Sequence, residues 1–79
     1  GLGDVYKRQE MLLVIRLTLE KMPERRRLIF ELSRFKELSY KEIAERLNIS
    51  IRTVEHQVYL VLIELKKVLL FLFFLFSFK

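Results

Sequence analysis

Apolar residues recur at helical spacing along almost the whole of this 79-residue chain, three or four positions apart. The clearest stretch is Ser39 to Val58, SYKEIAERLNISIRTVEHQV. Ile43, Ala44 and Leu47 make one apolar stripe, which predicts a short helix. Ser39 is placed to cap it, and Glu42 three residues later completes a capping box. Asn48 follows where the chain must turn, and Asn accepts the left-handed conformation more readily than most residues. Ile49 then plugs the corner. Ser50 is a second N-cap, and from Ile51 a second helix turns Val54 and Val58 inward.

The same reading extends to the flanks. Glu10 to Glu20 predicts a helix with Leu12, Ile15 and Leu19 on one face and Leu13 and Leu17 beside them. Pro23 breaks it, disfavouring helical geometry in Met22 and suiting the first turn of the next helix. That helix runs from about Pro23 to Phe35, with Leu28, Leu32 and Phe35 as its stripe and Ile29 alongside. Arg25, Arg26 and Arg27 crowd its opening turn, the end at which a helix dipole prefers anions. Two readings stay open for them: a charge wanted by a partner, or a solvated basic face. The Lys36-Glu37-Leu38 turn lacks the Gly that would ease a left-handed residue.

The last helix is expected to run on. Val54, Val58, Val61, Leu65, Val68 and Leu72 recur at alternating steps of four and three, one continuous seam. With Val54 at zero and about 100° per residue, the seam stays within roughly 40° of zero. Arg52, Glu55, His56 and Tyr59 fall at roughly 100–200°, away from it. No segment alternates with period two. The fold expected is therefore all-α: a small domain of four helices with a C-terminal helix-turn-helix and an extended apolar last helix. Two capped helices joined by about three residues, with a small Ala44 at the crossing, describe that unit. Its second helix is the kind that reads DNA in the major groove. A helical hairpin with no DNA role would share the pattern.

Composition narrows the functions. There is no Cys and one His, so a disulfide framework, a thiolate metal site and a His pair are excluded. No Gly-rich phosphate loop, nucleophile elbow or paired catalytic carboxylates occur, so neither an enzyme, a cofactor nor a small-molecule substrate is expected. The net charge of +5 suits a polyanionic partner, though it also serves solubility.

The two ends differ from the middle. Asp4 to Gln9, DVYKRQ, resembles an in-frame translation of a sequencing-library adapter. Residues 1–9 are therefore set aside as a scar, and the chain is expected to be a fragment. Without Asp4, Lys7 and Arg8 there remain thirteen basic and nine acidic residues, net +4. Residues 10–67 form the helix-turn-helix domain and residues 68–79 an apolar tail. The tail's unbroken apolar run, Val68 to Phe76, is shorter than the roughly twenty residues of a spanning helix. Upstream, Glu64, Lys66 and Lys67 are costly in a bilayer, so transmembrane insertion is not expected. The tail reads as a docking surface for a partner or for missing parts of the protein, or else as core packing or a frayed end.

These residues resemble a family. Met22-Pro23-Glu24-Arg25, Leu28-Ile29-Phe30-Glu31-Leu32, Leu38-Ser39-Tyr40-Lys41-Glu42-Ile43-Ala44, Leu47-Asn48-Ile49-Ser50 and Thr53-Val54-Glu55 are similar to region four of bacterial sigma factors of the sigma-70 family. The extracytoplasmic-function (ECF) group of the Bacteroidetes type is the nearest in pattern. The resemblance covers about Leu12 to Lys67. It implies a transcription initiation factor in the cytoplasm, whose partners are promoter DNA and the β flap of RNA polymerase. It assigns Arg52, Glu55, His56 and Tyr59 to the bases of the minus-thirty-five element, with Ile51 and Thr53 at the rim. Ser39, Tyr40, Lys41 and Gln57 match positions that touch phosphates, and Leu28, Ile29, Leu32 and Phe35 would cup the flap. Glu37 departs from the family, which usually has Gly there. Region two is not in this sequence, so these 79 residues alone are not expected to start transcription. A response-regulator-type helix-turn-helix shares Glu42-Ile43-Ala44 and Thr53-Val54, but the Pro-Glu break and Tyr40 argue against it. A protein-interaction module held by an anti-sigma factor is the third reading.

Overall fold

A computed structural model describes residues 2–77, with side chains described for residues 8–75 and for Ser77. The expectations placed on the Phe76 side chain, Phe78 and Lys79 lie outside the described residues. Four helices account for the described chain: α1 (Leu2–Glu20), α2 (Glu24–Arg34), α3 (Tyr40–Leu47) and α4 (Ile51–Ser77). No strand occurs among the described residues, as the missing period-two alternation requires.

Helix α4 is the axis. Its 27 residues span about 40 Å at 1.5 Å per residue, and α1, α2 and α3 all pack against it. The radius of gyration is 15.0 Å, against about 12 Å for a compact chain of this length. The long helix therefore makes the molecule 47 Å long and 20 × 18 Å across. Its predicted seam is inside. Val54, Val58, Val61 and Leu72 are buried, and Leu65 and Val68 are half-buried. Facing Val54, Val58, Val61 and Leu65 are Leu19 of α1, Ile29 and Phe30 of α2, and Ile43 and Ala44 of α3.

Three expectations are corrected. Helix α1 begins at Leu2 rather than Glu10. Residues 4–9 contain no Pro, and once a helix is nucleated each added residue contributes a hydrogen bond. On α1, Leu12, Leu13 and Leu17 are exposed, and among its described side chains only Leu19 is buried, with Ile15 half-buried. This helix touches α2 and α4 but not α3, so one narrow edge is covered and Leu12, Leu13 and Leu17 face out. On α2 the inward row is Ile29, Phe30 and Ser33, not Leu28, Leu32 and Phe35. Leu28 and Phe35 are exposed and Leu32 is half-buried. Because α2 packs against α3 as well as α4, the row between those neighbours is the one that is buried. Phe35 instead lines, with Leu12, Ile15 and Leu19, a shallow groove of about 590 Å³ between α1 and α2.

The connections follow local chemistry. Pro23 (φ −52°, ψ 138°) stands at the N-cap of α2 without a side-chain bond. It lies just before the helix rather than within its first turn. Beyond α2, Glu37 adopts φ 55°, the left-handed region in which a Cβ costs about 1–2 kcal/mol. The missing Gly is thus a measurable strain. Glu37→Gly is expected to raise stability by about 0.5–1 kcal/mol, the gain in strain being partly offset by glycine's freedom in the unfolded chain. A denaturant titration comparing the two proteins checks it, and a destabilised Glu37→Gly would show the turn to be unstrained.

Candidate nucleic-acid interface

The helix-turn-helix is held by three local devices. At the start of α3 the Ser39 hydroxyl accepts from the Glu42 backbone N–H at 3.1 Å, and the Glu42 carboxylate accepts from the Ser39 N–H at 3.1 Å. This is the capping box read from the sequence. At the other end Asn48 is left-handed, at φ 55° and ψ 50°. The Ile49 N–H reaches Ala44 O at 3.0 Å and the Asn48 N–H reaches Glu45 O, the paired bonds of a Schellman motif. Ile49 therefore folds back, half-buried, onto the core. Ser50 then caps α4, its hydroxyl accepting from the Thr53 N–H at 3.0 Å. Ala44, 6% exposed, lets α3 approach α4.

Capping also titrates. The Ser39 backbone N–H, then the Ser39 side chain, and more weakly the nearby Arg46 hold the Glu42 carboxyl below its ordinary value. A carboxyl whose pKa is lowered by folding adds stability that is complete above its unfolded pKa. That stability is lost as pH falls through the folded pKa. Glu42→Gln is therefore expected to flatten the acid side of the stability curve and leave its shape at neutral pH unchanged. Melting temperatures measured from neutral pH to below the carboxylate range test this, and parallel curves for the two proteins would refute it.

The face of α4 opposite the seam is open. Ile51 is 44% and Tyr59 60% exposed, and Arg52, Thr53, Glu55 and His56 are exposed as well. Among the described residues Arg52, Glu55, His56 and Tyr59 make no side-chain hydrogen bond or ion pair. Thr53 differs, because its hydroxyl lies 2.8 Å from that of Ser50. Of the four residues matched to phosphates, Ser39 and Lys41 are exposed and Tyr40 is half-buried against the core. Gln57 is half-buried, and its Oε1 accepts from Arg26 Nε at 2.9 Å.

The arginine cluster resolves in a way neither sequence reading contained. Arg25 Nη donates to Leu47 O at 3.2 Å, at the C-terminal end of α3. Arg27 Nη donates to Glu20 O at 3.4 Å, at the C-terminal end of α1, and its Nε lies 3.8 Å from the Glu31 carboxylate. A cation at the N-terminus of α2 is misplaced for α2's own dipole. It is well placed for the orphan carbonyls of its neighbours. No sequence period could reveal this, since Arg25 and Leu47 are 22 positions apart.

Of the residues matched to the polymerase flap, Leu28 (39% exposed) and Phe35 (67%) present apolar surface, and Leu32 is half-buried. Ile29 is 1% exposed. It belongs to the core, and its place in a docking surface is corrected accordingly. Along the tail Leu70, Phe71, Phe73, Phe74 and Leu75 are exposed around the helix while Leu72 is buried, so the aromatic residues do not share one stripe. Among the described residues no helix is long and apolar enough to cross a membrane. No group of His, Cys, Asp or Glu there could hold a metal ion.

In a comparison with protein families, residues 12–65 match the family described as Sigma-70, region 4. No curated protein matches the chain at a significant level. The matched span holds all of α2 and α3, residues 12–20 of α1 and residues 51–65 of α4.

Proposed function

The chain belongs to the sigma-70 region 4 family, a non-enzymatic helix-turn-helix module, and on that premise we propose that it recognises the minus-thirty-five promoter element and docks on RNA polymerase in the cytoplasm. The base contacts are Arg52, Glu55, His56 and Tyr59, with Ile51 and Thr53 at the rim. Ser39, Tyr40, Lys41 and Gln57 hold phosphates. Leu28, Leu32 and Phe35 meet the β flap. Within the family we assign the chain to the ECF group of the Bacteroidetes type, on the Pro-Glu break and the helix-turn-helix residues quoted above.

One observation carries the reading. A capped helix-turn-helix packs α4 by its Val54–Val58–Val61 seam and leaves four polar side chains on the opposite face with no partner among the described residues. Arg can hold guanine in a fork and Glu can accept from cytosine N4. The net charge of +5 adds phosphate attraction. Titration of a duplex bearing the minus-thirty-five element against a scrambled duplex, at several salt concentrations, tests it. Preference for the element is expected, and equal affinity for the two duplexes would overturn the reading.

A further inference from the structure

Gln57 differs from the other proposed DNA contacts in that its side chain is held from another helix. Arg26 reaches it from α2, 31 positions away, and the bond is half-buried. A guanidinium only donates, so the amide atom facing Arg26 Nε must be the carbonyl oxygen. The Gln57 NH2 is then the end left over, and it only donates. Phosphate oxygens only accept. On the helical wheel Gln57 lies about 60° from Val54, on the flank of α4 and outside the arc of Arg52, Glu55, His56 and Tyr59. A groove-bound helix has its flanks, not its reading face, beside the phosphate backbone. Arg25 meanwhile holds the end of α3 from the adjacent position, so the first turn of α2 fixes both helices of the helix-turn-helix.

We propose that Arg26 is a positioning residue for DNA binding: by occupying the Gln57 carbonyl oxygen it aims the Gln57 amide N–H groups at a DNA phosphate. The inference rests on the promoter-binding reading. Arg26 acts through Gln57 and does not itself touch the nucleic acid.

The test is a double-mutant cycle in the full 79-residue chain, with Arg26→Met, Gln57→Ala, the pair together, and Gln57→Glu. Each protein is titrated with the element-bearing and the scrambled duplex over a salt series, and melted in parallel. Either single change should weaken binding to both duplexes by roughly three- to tenfold, one hydrogen bond's worth. The double variant should be no worse than Gln57→Ala. Arg26→Met should keep the salt slope of the unaltered chain, because no phosphate-bound cation is lost. Gln57→Glu should melt no lower than the unaltered protein, since Arg26 gains an ion-pair partner, yet bind DNA more weakly than Gln57→Ala. Additive losses with a shallower salt slope would overturn the inference by placing Arg26 on a phosphate. A lower melting temperature with unchanged affinity would overturn it by making the bond structural only. If the unaltered chain binds neither duplex, the promoter reading falls and takes this inference with it. Normal binding with an additive cycle removes the inference alone.

Discussion

Arg52→Ala and Glu55→Ala are each expected to cost about 1–3 kcal/mol at a single base pair and to relax the preference there. The reason is the contrast between two sides of one helix. Val54 and Val58 are 0% and 2% exposed, so α4 cannot roll without opening the core, and the angular position of Arg52 and Glu55 is therefore rigid. Their side chains make no hydrogen bond among the described residues, so truncating them removes no bond there. Lys41→Ala should behave differently. Lys41 is exposed at the start of α3, where it matches a phosphate contact. Its loss should weaken all sequences alike and lower the salt slope by about one. Binding curves on a panel of single-base promoter variants, repeated at several salt concentrations, separate the two behaviours. Sequence-blind losses from Arg52→Ala and Lys41→Ala alike would mean that the reading face is elsewhere.

Ile43→Ala is expected to be the most damaging single truncation for folding. Ile43 is 0% exposed and lies in the α3 layer that packs on α4 and α2. Removing such a side chain typically costs about 2–5 kcal/mol, transfer and cavity together. A domain of this length has only about 4–12 kcal/mol in total, so the variant should lose a large share of its stability. Leu13→Ala, on the exposed side of α1, is the control and should change stability by about 0.5 kcal/mol or less. Urea titrations followed by helical circular dichroism measure both. A loss below about 1 kcal/mol for Ile43→Ala would show that the site collapses around the truncation.

Local chemistry makes the helix-turn-helix legible in the sequence. Ser39 with Glu42, Asn48, and Ser50 each act on backbone groups within a few residues, so the order of residues alone specifies where α3 starts, where it ends and where α4 begins. The α4 seam was legible for a related reason. That helix is contacted along one side by all three others, and a single buried stripe leaves a clean four-and-three spacing. Exposure of Arg52, Glu55, His56 and Tyr59 followed from the same periodicity. What tertiary structure alone decided lies where a helix has more than one neighbour or too few. Helix α2 is wedged against α3 and α4, so Ile29, Phe30 and Ser33 go inside and Leu28 and Phe35 do not. Helix α1 has one narrow contact edge, which leaves Leu12, Leu13 and Leu17 outside despite their apolar spacing. The three arginines carry the same lesson in electrostatic form. Their charges are unfavourable for α2 itself, and only the docking of α1, α3 and α4 around that first turn brings Glu20 O, Leu47 O and Gln57 within reach. Hydrogen bonds spanning 7, 22 and 31 residues depend on how helices are placed in space, and periodicity along a single helix carries no information about that placement.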